Sequence, residues 1–276
     1  MLRVRIGVAP LDRFLAFLER DLRVEASYRL SFVWFFVGIF TSVFMFYYMA
    51  RLLGPAASPH LEEYGGNYFA FLLIGIAFSR YLSVALHGFS GGIRRAQSDG
   101  TLEAMLMTPT RVPMIAFGSS LWSYTRTTLD VLVYLVVGSL FLGVELQGNV
   151  MAAVLVLLVS VAAFSAIGVI SASIILVIKR GDPVVWVFST VSSLLGGVYY
   201  PITILPDWVQ RVAQLLPITY ALRALRLVLL QGASLADLAG DLLILIGFCL
   251  VLIPLSVHTF RMAMRRARHD GSLTHF

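Results

Sequence analysis

Few side chains in this chain of 276 residues could do chemistry, and those that could sit in unusual company. Arg80 interrupts one apolar stretch, and Arg126 and Asp130 interrupt another. Ionisable groups inside apolar segments are costly, and they persist where they pair with one another or line a pathway. Counted at 1.5 Å per residue from the same end of the two segments, Arg80 and Asp130 fall at similar depths. Arg126 and Asp130 are also i, i+4 neighbours on one helical face. The expectation is a charge group of Arg80, Arg126 and Asp130 that neutralises itself and locks a helical hairpin. A proton relay through Asp130 is the alternative.

The missing chemistry is equally informative. A P-loop needs G-x-x-x-x-G-K-[ST], with its lysine reaching the phosphates. The one lysine, Lys179, lies between Ile178 and Arg180 and cannot build that site. There is no H-E-x-x-H and no His/Cys cluster with metal-ligand spacing. Cys249 is the single cysteine, inside an apolar run, so no disulfide framework is available. The chain is therefore expected to hold no catalytic residue, no metal and no cofactor of its own.

Composition fixes the elements that must position the charge group. Hydrophobic residues make up 59% of the chain, charged residues 13%, and mean hydropathy is +0.86. A soluble domain averages about 45–50% apolar and about 25% charged, so lipid must solvate much of this chain. The predicted fold is an all-α integral membrane domain over residues 1–276. About 20 apolar residues cross the hydrocarbon core, and six stretches qualify: 30–50, 67–87, 115–142, 150–178, 184–200 and 238–260. The net charge of +6 does not indicate nucleic acid, because the arginines cluster in alternate connections. Arg94, Arg95, Arg111, Lys179, Arg180, Arg261, Arg265, Arg266 and Arg268 join the N-terminal arginines on one side, while the opposite connections carry few. By the positive-inside rule both termini are cytoplasmic, which requires an even number of spans. The N-terminus has no apolar core directly after its arginines, so no cleaved signal peptide is expected.

Three segments are neither span nor plain loop. Over 11–25, Leu11, Phe14, Leu15, Leu18 and Leu22 recur at helical spacing opposite a charged face, which predicts an interfacial amphipathic helix. Over 201–232, Pro201, Pro206 and Pro217 break an apolar stretch into short helices, read as a re-entrant or surface-lying cap at the outer side. Pro206–Asp207 marks a helix start, followed by an apolar stripe of Val209, Val212 and Leu216. Over 97–108, Gly100 permits a turn, Thr101–Met107 forms a short helix, and Pro109 ends it. Its apolar Leu102, Met105 and Leu106 suit insertion into a groove on a partner.

Gly100-Thr101-Leu102-Glu103-Ala104-Met105-Leu106-Met107-Thr108-Pro109 resembles the coupling-helix signature of ABC-2 type exporter permeases, with Met105 a conservative departure. The stretch from Gly196 to Arg226, with its Y-P, L-P-x-W and L-P-x-T-Y elements, is similar to that family's second signature. The tail Arg268 to Leu273 resembles the family's basic C-terminus. The resemblance implies a dimer of permeases, here a homodimer, working with separate ATPase subunits that bind Mg-ATP. It implies that Gly100, Thr101, Leu102, Glu103, Met105 and Leu106 contact the ATPase, flanked by the 11–25 helix. It places a substrate route at the dimer interface along the first, second and fifth spans, with Phe35, Phe36, Phe40, Thr41, Thr190 and Ser193 as candidates to line it. The implied cargo is hydrophobic or amphipathic, a drug or a lipid, with a lipid-linked polysaccharide as the alternative. The Arg-rich, Lys-poor usage points to a GC-rich bacterial genome, and the expected location is the bacterial cytoplasmic membrane. A stand-alone ion-coupled carrier, starting from Asp130, is the reading from a different class.

Overall fold

The computed structural model describes residues 29–98, 112–178 and 183–269, and the elements among them are all helical. They are α1 (Arg29–Ala57), α2 (Tyr68–Ser98), α3 (Val112–Leu142), α4 (Val150–Ile178), α5 (Pro183–Leu195), α6 (Asp207–Ala213), α7 (Pro217–Gln231) and α8 (Ala239–His269), with three 3-10 turns between them. The expected interface helix over 11–25, positions 99–108 of the expected coupling segment and the 270–276 tail lie outside the described residues.

Five helices, α1 to α4 and α8, are long and apolar enough to cross a membrane, and the α6–α7 pair makes up to six if it counts as one span. The element expected over 184–200 is shorter than its hydropathy suggests. α5 ends at Leu195 after 13 residues, about 20 Å of rise against a core of about 30 Å. Gly196 and Gly197 end it: Gly197 adopts φ +75°, where a side chain is strained, and a Cβ on Gly196 would strike Ile218. The chain then turns through the Ile202–Ile204 3-10 turn into α6 and α7, which meet at 89°.

α2 is the axis of the bundle. Of its span 72% is buried, against 17% for α1 and 11% for α8. It begins on an Asn67 cap, whose Oδ1 accepts from the Ala70 amide at 3.1 Å. Asn149 does the same for α4, accepting from Met151 and Ala152 at 3.0 and 3.4 Å. Small residues let the backbones close up, as expected where lipid gives no hydrophobic drive between helices. A Cβ on Gly168 of α4 would meet the Ala85 and Leu86 carbonyls of α2, and one on Gly138 of α3 would meet Leu73. Polar pins add to this packing. The Tyr81 hydroxyl donates to Thr128 Oγ1 at 2.9 Å between α2 and α3, and Tyr124 and Ser165 hydroxyls bond at 2.8 Å between α3 and α4. α8 lies on α4 and α7, with Cys249 Sγ donating to the Val159 carbonyl at 3.4 Å. Cys249 is thus a packing residue.

In α6 the buried side chains are Val209 and Ala213, with Leu216 buried just beyond, while Val212 is 38% exposed. The expected stripe of Val209, Val212 and Leu216 is corrected accordingly. The break before Pro217 ends α6 early and shifts the buried line to Ala213.

Candidate functional site

Over residues 68–87 one face of α2 stays open while most of the remainder is buried. Ile76, Ser79 and Arg80 are half-buried, and Ser83 and His87 are exposed. Their spacing puts them on one arc of about 100°. Between them Ala77, Phe78, Tyr81, Leu82, Ala85 and Leu86 are all buried. The open face of the most buried span is therefore its polar face.

Arg80 anchors the edge of that face. Its Nη1 donates to Asp130 Oδ2 at 3.2 Å and its Nη2 to the Tyr134 hydroxyl at 2.7 Å. The guanidinium carbon lies 4.8 Å from the centre of the Tyr134 ring, a cation–π distance. Asp130 is buried on α3, and its Oδ1 has no hydrogen-bond partner among the described residues. Arg126 sits half-buried one turn away on the same helix. The hairpin contact expected between α2 and α3 is thus present as an ion pair. Removing one member of a fully buried pair costs about 3–5 kcal/mol. The Arg80 side chain is 38% exposed, which moves this pair below that range.

Beside this charge group, a cavity of about 220 Å³ opens between α2 and α5. Ser79, Ser83 and His87 line it from α2, and Ser189 and Ser193 from α5. Leu82, Val198, Tyr199 and Ile218 complete its wall. Ile218 brings in the first turn of α7, about 20 Å along α2 from Tyr68 by residue count. The far end of α7 lies at the opposite level, where Leu229 accepts from the Gln147 amide at 3.0 Å in the α3–α4 connection. α7 therefore runs from the level of the cavity to the end of the bundle that bears the 58–67 and 143–149 connections.

Two arginines fasten α7 in place. Arg226 is 3% exposed, and its Nε and Nη2 donate to the Phe71 carbonyl at 3.2 Å. Nη2 also reaches the Val198 carbonyl at 3.1 Å, and the guanidinium stacks 3.4 Å from the centre of the Phe71 ring. Gly75 makes room for this junction, because a Cβ there would run into both the Val198 carbonyl and Arg226 Nη2. Tyr68 adds a bond from its hydroxyl to the Tyr199 carbonyl at 3.1 Å. One turn back along α7, Arg223 gives Glu63 Oε1 bonds of 2.9 and 3.1 Å and lies 3.8 Å from Asp241. Burial, then the Glu63 carboxylate, raises the Tyr64 phenol above its ordinary value and keeps it protonated.

Of the expected path residues, the cavity draws in Ser193 alone. Thr190 is half-buried on α5; on α1, Phe36 is half-buried and Phe40 and Thr41 are exposed. The Phe35 side chain and Gly100, Thr101, Leu102, Glu103, Met105 and Leu106 lie outside the described residues. Sequence reasoning passed over Ser79, Ser83, His87, Gly75 and Arg226. The i, i+4 recurrence of Ser79, Ser83 and His87, repeated by Ser189 and Ser193, was the available signal for the cavity. Among the described residues no group of three or more His, Cys, Asp or Glu side chains is placed to hold a metal.

Long apolar helices around a buried axial span, with a sharply bent pair of shorter helices, define a multi-pass α-helical membrane protein. The family model for ABC-2 type transporters matches residues 61–230, from the connection before α2 to the last turn of α7 and well over half of the chain. The protein belongs to the ABC-2 type transporter family, as the membrane component of an ABC system whose ATPase is a separate subunit. No curated protein matches the sequence.

Proposed function

We propose that this chain is the permease subunit of an ATP-driven exporter. It works as a homodimer and moves a hydrophobic or amphipathic substrate out of the cytoplasm across a bacterial inner membrane. The observation that carries this reading is the open polar face of α2. Ser79, Arg80, Ser83 and His87 sit at membrane depth without full cover, and acyl chains do not accommodate such a face. A second copy laid against it, enclosing a watered route, does. α1 fits the same interface, since Trp34, Phe40, Phe44 and Tyr48 are exposed along it.

In this reading both termini are cytoplasmic, and α7 and its connections cap the route at the outer side. Gly100, Thr101, Leu102, Glu103, Met105 and Leu106 dock on the ATPase beside the 11–25 helix. Mg-ATP binds the ATPase, not this chain. ATP can drive the permease only through a differential affinity for two arrangements of the spans. The docking segment begins in sequence two residues after α2 ends at Ser98, and α2 carries the cavity wall, so in this reading a shift of the segment is passed to the cavity through α2.

The test is co-expression with the neighbouring ATPase, wild type against Glu103→Arg. Wild type is expected to co-purify and turn over ATP. The variant is expected to lose both while its helicity and thermal midpoint hold. An ATPase that never associates, or a variant indistinguishable from wild type, would return the carrier reading from Asp130 to the front.

A further inference from the structure

We propose that the C-terminal end of α8 binds the phosphate of an anionic phospholipid, through Arg261 and Arg265 with Arg266 at the flank. In the topology proposed above, that lipid belongs to the inner leaflet. The site faces lipid and needs neither a cargo nor the exporter reading.

α8 has one covered side. Leu245, Ser256 and Ala263 are buried along it, and the helix packs on α4 and α7. Half a turn around the helix, Leu243, Leu250 and Val251 are exposed, and the same stripe continues through His258 to Arg261 and Arg265. Arg266 is exposed beside it. The stripe is thus apolar over most of its length and basic at its end. Its apolar part suits acyl chains, on a span that is only 11% buried.

Depth puts the basic part at the phosphates. About 20 residues cross the hydrocarbon core. Counted from Asp241 in the first turn of α8, they end at Arg261. The same count from Leu142, at the matching end of α3, arrives at Trp122, and tryptophan is enriched at membrane interfaces. Arg265 lies one turn past Arg261, about 6 Å along the axis. The headgroup layer occupies about 5–8 Å on each side of the core, so Arg265 stands within it. Arg261 has a stem long enough to reach the same layer.

Charge selects the headgroup. α8 carries no carboxylate after Asp241. Arg261, Arg265 and Arg266 have no ion-pair partner among the described residues. A guanidinium fork matches the oxygens of a phosphate. A zwitterionic headgroup brings an ammonium along with its phosphate, which the arginines repel, whereas a headgroup of net negative charge brings none. The partner ATPase would dock at a different level. Counted from Tyr68, the core ends near Gly88, and α2 runs on to Ser98, about 15 Å further out. The arginines of α8 lie inside that distance, on the lipid's side of it.

The probes are dioctanoyl phosphatidylglycerol and dioctanoyl phosphatidylcholine, which share chain length and differ in net charge. Each is titrated onto the full chain in a neutral detergent, and bound lipid is read by native mass spectrometry. Wild type is expected to bind the glycerol lipid at least tenfold more tightly at low salt. Arg261→Gln with Arg265→Gln should lower that affinity about tenfold, leaving choline-lipid binding and the thermal midpoint unchanged. Arg261→Lys with Arg265→Lys should keep most of the affinity. Arg94→Gln with Arg95→Gln removes the same charge elsewhere and should change it less than twofold. Equal binding of the two lipids by wild type would overturn the site. An equal loss in the Arg94 and Arg95 variant would do so too, since the attraction would then belong to a diffuse basic surface. So would a glutamine variant of α8 that keeps the lipid preference. If that variant also failed to retain a co-expressed ATPase, the arginines would belong to the partner's docking surface instead.

Discussion

Arg226 and Arg80 are both guanidinium groups at membrane depth, and the molecule treats them in opposite ways. Arg226 is almost wholly buried and binds backbone carbonyls and an aromatic ring, with no carboxylate in salt-bridge range among the described residues. Arg80 has its carboxylate, Asp130, yet keeps more than a third of its side chain exposed. The first serves geometry, because its fork ties the turn after α5 to the first turn of α2. The second serves an open face, with its charge balanced and one side left for whatever passes or docks. Full burial with carbonyl partners marks architecture here, and partial exposure with a balanced charge marks the open face of α2.

That contrast predicts graded effects. The largest belongs to the buried junction. Arg226→Ala leaves the Val198 carbonyl without its donor, at about 1–3 kcal/mol for a buried orphan, and strips the second donor from the Phe71 carbonyl together with the stacking on its ring. Gly75→Val pushes a side chain into the same two partners. Both variants should lower the thermal midpoint sharply and reduce the yield of monodisperse protein on size exclusion. A normal midpoint for Arg226→Ala would break the contrast outright.

Asp130→Asn comes next. It leaves the Arg80 charge half-exposed without its counter-charge, and a loss of about 2–3 kcal/mol is expected, below the roughly 3–5 kcal/mol of a fully buried pair. Arg80→Gln combined with Asp130→Asn should recover most of that loss in a double-mutant cycle. If Asp130→Asn folds normally and abolishes transport alone, the pair is a relay and not a lock.

The smallest effect lies at the exposed end of the scale, before α8. Asp237 accepts from the Ser234 amide at 2.9 Å and the Ser234 hydroxyl at 2.7 Å, and these bonds hold its carboxyl below the ordinary value. A depressed folded-state value contributes stability above the unfolded pKa of about 3.9. That contribution fades as pH falls through the folded value. Asp237→Asn should lower the thermal midpoint slightly at pH 7 and flatten its acid limb, the two proteins converging as pH falls below about 4. A clear loss at pH 7 would mean that exposure does not set the scale.

Much of this arrangement was legible in the sequence because it follows from length and depth. Counting residues from matched ends brings Arg80 and Asp130 to one level, and the side chains lie 3.2 Å apart. Prolines 201, 206 and 217 announce broken helices because proline cannot donate and clashes inside a helix. What stayed hidden depends on partners distant in sequence. Nothing local says that Arg226 meets Phe71, 155 positions away, or that Gly75 is small for the sake of Val198. The serines look neutral because hydroxyls on a helix can simply bond back to it. Only the neighbouring α5 turns them into a wall. The short α5 was hidden for a different reason: apolarity continues past Leu195 while the backbone does not continue as helix.

That early stop bears on how the chain enters a bilayer during synthesis. A segment of 13 helical residues is too short for the insertion machinery to hold as a span in its own right. The α7 segment that follows carries Arg223 and Arg226, which lipid alone does not solvate. α5 to α7 therefore integrate late, as passengers of α2 and α4 already in place. Arg226 finds its carbonyls only when that docking occurs, so the sequence of assembly is written into one side chain.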